Sequence, residues 1–429
     1  MNPSDTRGSA PLTGLVAVAV LIAVVVGGVL LTQFGTDSTA PPDDNGQGSP
    51  ATPASRPAAG GGAPSEAQRV LAGTRALLAL ERAVRAERED LFRRVFAVGA
   101  SADAGADLFT SLRRLPLSTY SMRYIGEVSH RGSTWRADVA VQWGLRRVDR
   151  RAITSEVEVT FTGNGPSARV VAIAPADDEH APVWLLGRLE VERVGPALVL
   201  SLQPPLTDGV VAQTRRAVSD VQGVLDGWNG ELVVVLPETT EQLEQLLAAE
   251  EGTYDSIAAV TASADGSGDP TAPVRVVLNP PVFTTLGPIA GQVVLSHETT
   301  HAATGATFRD MPLWLVEGFG DYVALAGEPV PVDVAAGQAL KRVRRSGPPD
   351  ALPAQEDFAT SSHGLGASYE AAWLACRLIA EQYGEDRLLR FYQEVSRSGD
   401  VERAFASVLD SSEEQFTAQW RDYLRELAG

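Results

Sequence analysis

Cysteine is nearly absent from the 429-residue chain, where Cys376 stands alone. A lone cysteine excludes an intramolecular disulfide and a cysteine-built zinc cluster. Histidine is scarce too: His130, His180, His297, His301 and His363 are the five positions on which any imidazole chemistry must draw. Lysine occurs once, as Lys341, and 36 basic residues face 54 acidic ones, for a formal net charge of −18. An acidic surface repels phosphate backbones, which argues against nucleic acid as a partner. What is present in quantity is apolar: 44 % hydrophobic residues against 21 % charged ones, a globular composition over a length that predicts two folded units plus extras.

No charged residue falls between Gly8 and Thr36, and residues 12–31 are nearly all Leu, Val, Ile, Ala and Gly. About 20 apolar residues span a bilayer core as a helix, and the run exceeds the roughly 7–15 of a signal-peptide apolar region. Residues 1–34 are therefore expected to be a cytoplasmic tip and a transmembrane helix. Arg7 before the run and Asp37, Asp43 and Asp44 after it place the rest of the chain outside the cytoplasm, tied to the cell membrane by a single pass. Residues 35–64 hold six prolines and six glycines and read as a disordered linker.

From Ser65 the pattern changes. Ser65-Glu66-Ala67-Gln68 fits a capping box opening a helix, with an apolar stripe through Leu77, Leu80, Val84, Leu91 and Val95. A short helix is predicted over 103–114. Strands follow over 120–129, 134–143, 153–162 and 169–174, and a hairpin over 189–194 and 197–202 turns at Gly195-Pro196. This gives an α+β accessory domain over 65–203. Its element order resembles the nuclear-transport-factor-2-like cone fold. A helix over 207–225 opens a second α+β unit, 204–429, with a small mixed sheet first and helices after Pro288.

The chemistry concentrates in that second unit. A helix predicted over 288–303 carries His297-Glu298-Thr299-Thr300-His301. Residues four apart share a helix face, so both imidazoles converge on one point, and Glu298 sits within reach of a water there. Roughly 0.004 chance matches to this pattern are expected in such a chain, which makes coincidence a poor explanation. The next helix reads Pro312-Leu313-Trp314-Leu315-Val316-Glu317-Gly318-Phe319-Gly320-Asp321-Tyr322.

Together the two segments resemble the gluzincin zinc metallopeptidases, the superfamily of thermolysin and aminopeptidase N, and within it the peptidase-MA-like domains. The resemblance covers residues 205–429 and is specific in 297–301 and 314–322. It implies Zn2+ held by His297, His301 and Glu317, with Glu298 as general base and Asp321 orienting His297. It implies a downstream oxyanion donor, for which Tyr369 and His363 are the candidates, and peptide or protein as substrate. It also implies an edge strand over 274–279 that binds substrate backbone. Aminopeptidases of the superfamily carry a Gly-rich Glu-Asn motif there that Val274–Pro280 lacks, which favours endopeptidase action. Gly318 and Gly320 are expected to let this helix approach the histidine helix closely. A competing reading is a catalytically silent zinc-binding module serving as an extracytoplasmic scaffold. Bland roles are expected elsewhere: His130 and His180 in exposed loops, Tyr322 in the core, and Cys376 buried and inert.

Overall fold

Ser65 caps the first helix as its sequence predicts, its hydroxyl accepting from Gln68 N while the Gln68 side chain accepts from Ser65 N at 2.8 Å. The computed structural model describes residues 64–429 except 165, 204–207 and 360–363. Helix α1 (Glu66–Arg85) ends earlier than its apolar stripe suggests, because Glu87 turns left-handed at φ 56° and hands Leu91 to α2 (Glu89–Arg93). After α3 (Ala100–Arg114) come β1 (Leu117–Arg131), β2 (Thr134–Leu145), β3 (Ile153–Thr162) and β4 (Arg169–Pro175), an antiparallel meander in that spatial order.

The hairpin β5 (Glu190–Val194) and β6 (Ala197–Ser201) does not extend this meander. It begins a second, five-stranded sheet in the order β5-β6-β7-β9-β8, with β7 (Val233–Leu236), β8 (Ala259–Ser263) and β9 (Val274–Leu278). Strand β6 pairs parallel with β7, and all five of its residues are buried. A strand covered on both faces reads as a continuous apolar run, which is what Ala-Leu-Val-Leu is. The cone-fold expectation is thereby corrected, since this hairpin belongs to the second sheet, which begins at Glu190. The expected transmembrane helix finds no counterpart in the described structure. No helix among the described residues is long and apolar enough to cross a membrane. The segment proposed for it, like the linker that follows, lies outside the described residues.

The five-stranded sheet is the wall between two cores. Leu198, Leu200, Val233, Val235, Val260 and Val277 face the meander with α1 and α3. The alternate residues Ala197, Val199, Val234, Leu236, Ala259 and Val276 face the helical half. The period of two along each strand produces this division. Helices α4 (Asp208–Val224) and α7 (Pro288–Thr304) cover that second face, with α5 (Thr240–Leu247) and α6 (Pro280–Phe283) in the connections. Behind them pack α8 (Leu313–Leu325), α9 (Val332–Ala335), α10 (Gly337–Ser346), α11 (Leu365–Tyr383), α12 (Glu385–Ser398), α13 (Val401–Leu409) and α14 (Glu413–Ala428).

The two layers are also stitched by charge. The β2–β3 turn sends Asp149 to Arg275 on β9, Oδ2 to Nη2 at 2.8 Å, with both side chains buried. Next to it Arg151 meets Asp265 at 2.8 Å and Asp269 at 3.4 Å in the β8–β9 turn. Removing one partner strands a buried charge, so Arg275→Met is expected to lower unfolding free energy by about 3–5 kcal/mol, measured by urea denaturation.

Candidate metal centre

Helix α7 starts with Pro288 in its first turn and stops at Gly305, which takes the left-handed conformation at φ 67° and returns its N–H to the His301 carbonyl. Between these ends every residue from Gly291 to His301 is buried. Buried polar groups need partners, and most here have local ones. Thr299 and Thr300 donate to the carbonyls of Leu295 and Ser296 at 2.6 and 2.8 Å, and Ser296 donates to Asp220 of α4 at 2.8 Å.

The histidines do not pair this way. His297 and His301 present Nε2 atoms 2.7 Å apart, and α8 brings Glu317 Oε2 to 3.2 Å from the first and 3.6 Å from the second. All three side chains are at most 1 % exposed. Two imidazole nitrogens this close need either a hydrogen that one ring donates to the other or a cation bound by both. A tetrahedral ion with bonds of about 2.1 Å needs ligand atoms about 3.4 Å apart, near both Glu317 distances and wider than the 2.7 Å between the rings. The buried His297–His301–Glu317 cluster can hold a metal ion.

Two glycines of α8 permit different approaches. A Cβ at Gly320 would stand 2.9 Å from the His297 ring, so its absence admits α8 to α7. A Cβ at Gly318 would meet the Ala372 carbonyl at 2.3 Å; this glycine serves the contact with α11 instead, unlike the sequence expectation.

Around the cluster, Asp321 Oδ1 lies 2.8 Å from His297 Nδ1. Such a bond fixes the ring and commits Nε2 to the ligand position. Burial pulls the His297 pKa down, but Asp321 and Glu317 outweigh it and hold it at about 10. Burial pushes Glu317 up, yet its bonds to both histidines bring it to about 2. A metal must therefore displace a proton from His297 at neutral pH. Calorimetry in buffers of differing ionisation enthalpy is expected to show about one proton released at pH 7, with affinity rising about tenfold per pH unit below pH 10.

Glu298 is fully buried, and burial raises its pKa against the opposing pull of the histidines and Thr261. Its Oε2 accepts from the Thr261 hydroxyl of β8 at 2.5 Å, while Oε1 has no protein partner. Tyr369 projects from α11, buried and edge-on to Phe358 at 5.2 Å. Burial and the nearby charges of Glu317, Asp321 and Glu298 push its pKa well above 10, so the hydroxyl keeps its proton. The other oxyanion candidate, His363, lies outside the described residues.

Several expectations change. The edge of the sheet beside α7 is β8, not β9, which lies between β7 and β8, and Arg275 of β9 is committed to Asp149. His180 is half-buried, its Nδ1 2.9 Å from the Leu246 carbonyl, rather than in an exposed loop. Tyr322 reaches Glu385 at 2.7 Å instead of sitting wholly in the core. Cys376 is buried, and burial drives its thiol pKa up. Sequence reasoning missed Thr261. Alternation along β8 puts it on the face shared by Ala259, but only the packing reveals that this face meets Glu298.

No protein-family model matches the chain, and no curated protein matches it either.

Proposed function

We propose that the protein is a zinc-dependent peptidase of gluzincin type, with His297, His301 and Glu317 as metal ligands and Glu298 as general base. The observation that carries this reading is the Glu298 carboxylate. It is buried beside the ligand triangle with one oxygen held and the other unpartnered. A purely structural metal site closes with four protein ligands and has no use for a free buried carboxylate, whereas a hydrolytic site keeps a position open. The same observation weighs against the scaffold reading. Two imidazoles and a carboxylate suit zinc among the divalent metals.

When bound, zinc supplies Lewis acidity, bringing water's pKa toward neutrality and polarising a carbonyl. The chain's own residues do the rest. Glu298 Oε1 takes the proton of the attacking water and returns it to the leaving amine. Burial raises its pKa above the ordinary carboxylate value, the direction that strengthens a proton acceptor. Asp321 keeps His297 in one tautomer. Tyr369, protonated and held by α11, donates to the oxyanion that develops on the scissile carbonyl. As the terminal strand of its sheet, β8 would offer backbone groups to an extended peptide. Since His297, Glu298 and His301 are fully buried, a peptide reaches them only after the covering elements part.

The test is hydrolysis of fluorescein-labelled casein by the zinc-loaded protein. Cleavage that stops on chelation and returns with zinc supports the reading, and absence of cleavage at full zinc loading overturns it.

A further inference from the structure

We infer that Thr261 is the positioning residue of Glu298, holding one carboxylate oxygen so that the other is the one that moves the proton; this rests on the peptidase reading above. Three observations carry it. Thr261 is fully buried on the face of β8 that otherwise contributes apolar residues such as Ala259 to the helical core. A hydroxyl there is costly unless paired. Its partners both belong to Glu298: the carboxylate Oε2 at 2.5 Å and the main-chain carbonyl at 3.0 Å. The single hydroxyl proton goes to the shorter, charged contact, and the carboxylate is left asymmetric, with Oε1 free.

The residue type suits this task. A β-branched side chain is stiff at χ1, so the strand backbone fixes where the hydroxyl points. Serine supplies the same donor with more rotational freedom, and valine supplies the same shape with none. Thr261 faces α7 and not the outer edge of the strand, so it touches no substrate. Its loss should therefore appear in kcat and leave KM alone.

The experiment compares Thr261→Val, Thr261→Ser and Thr261→Ala in the full chain, each loaded with zinc, using fluorescein-labelled casein and zinc analysis by mass spectrometry. Thr261→Val is expected to lower kcat about 10–100-fold, with KM within about twofold and zinc content unchanged, the scale for losing a partner just outside the ligands. Thr261→Ser should recover most of that loss. Should the valine variant fail to fold, Thr261→Ala removes the hydroxyl with less bulk and carries the same expectation. A second readout needs no activity. In metal-free protein the infrared difference between wild type and Thr261→Val should contain a shifted carboxyl band, and that band should vanish when the comparison is made in a Glu298→Gln background. Wild-type kcat in Thr261→Val, a serine variant no better than valine, or a band that persists without Glu298 each overturns the assignment. An inactive wild type overturns the peptidase reading itself, and is told apart because the infrared comparison still reports on the Thr261–Glu298 contact.

Discussion

Glu298→Gln is expected to bind one zinc per chain, as wild type does, and to hydrolyse labelled casein more slowly by a factor on the order of 10²–10⁴, the usual contribution of a positioned general base. Glutamine is the same size and keeps an oxygen able to accept from Thr261, so the 2.5 Å contact and the packing of α7 survive. It loses only the capacity to take a proton. Because the carboxylate is fully buried, bulk buffer does not replace it. Zinc content by mass spectrometry and progress curves on the same sample check both halves. A variant with activity within about threefold of wild type would remove Glu298 from the mechanism.

Loss of a ligand should have the larger effect on the metal. His301→Ala and Glu317→Ala each leave two donors of three, and zinc content is expected to fall from about one per chain to near zero after dialysis. Stability reports the same event. A metal that binds only the folded state contributes about 4 kcal/mol when free metal exceeds Kd by a thousandfold. Chelation should therefore lower the melting temperature of wild type and leave that of His301→Ala unchanged. Glu317→Ala also removes the carboxylate that helps hold His297 protonated in metal-free protein, so its folded state is destabilised with or without metal. His301→Ala likewise takes a partner from Glu317, so the response to chelation, not the starting stability, reports the metal in both variants.

Much of the candidate centre was legible from the chain because helix periodicity is reliable over short spans. A spacing of four from His297 to His301 suffices to bring two rings together, and Glu317 and Asp321 share a face of the next helix by the same rule. The termini of α7 were legible for the same local reasons, a proline in the first turn and Gly305 at the end. Thr261 was not, because its role depends on which sheet face meets which helix. The placement of β5 and β6 was missed although a signal existed: an unbroken Ala-Leu-Val-Leu run marks a strand buried on both sides, not one more member of a half-exposed meander. Strand order likewise lies beyond local pattern. That β8 rather than β9 occupies the edge is decided by β7 pairing with β9.

The charges that tie the meander to the second sheet were invisible for a related reason. Asp149 and Arg275 are 126 residues apart in the chain, and neither stands in a motif. Their contact makes the accessory layer a structural support for the β8–β9 hairpin, and through β8 for Thr261.

The most direct measurement is anomalous diffraction at the zinc edge from crystals of the zinc-loaded chain. The account predicts one strong peak about 2 Å from His297 Nε2, His301 Nε2 and a Glu317 carboxylate oxygen, with Glu298 close by but outside bonding distance. A map with no peak there, or with the ion bound directly by Glu298, would contradict it.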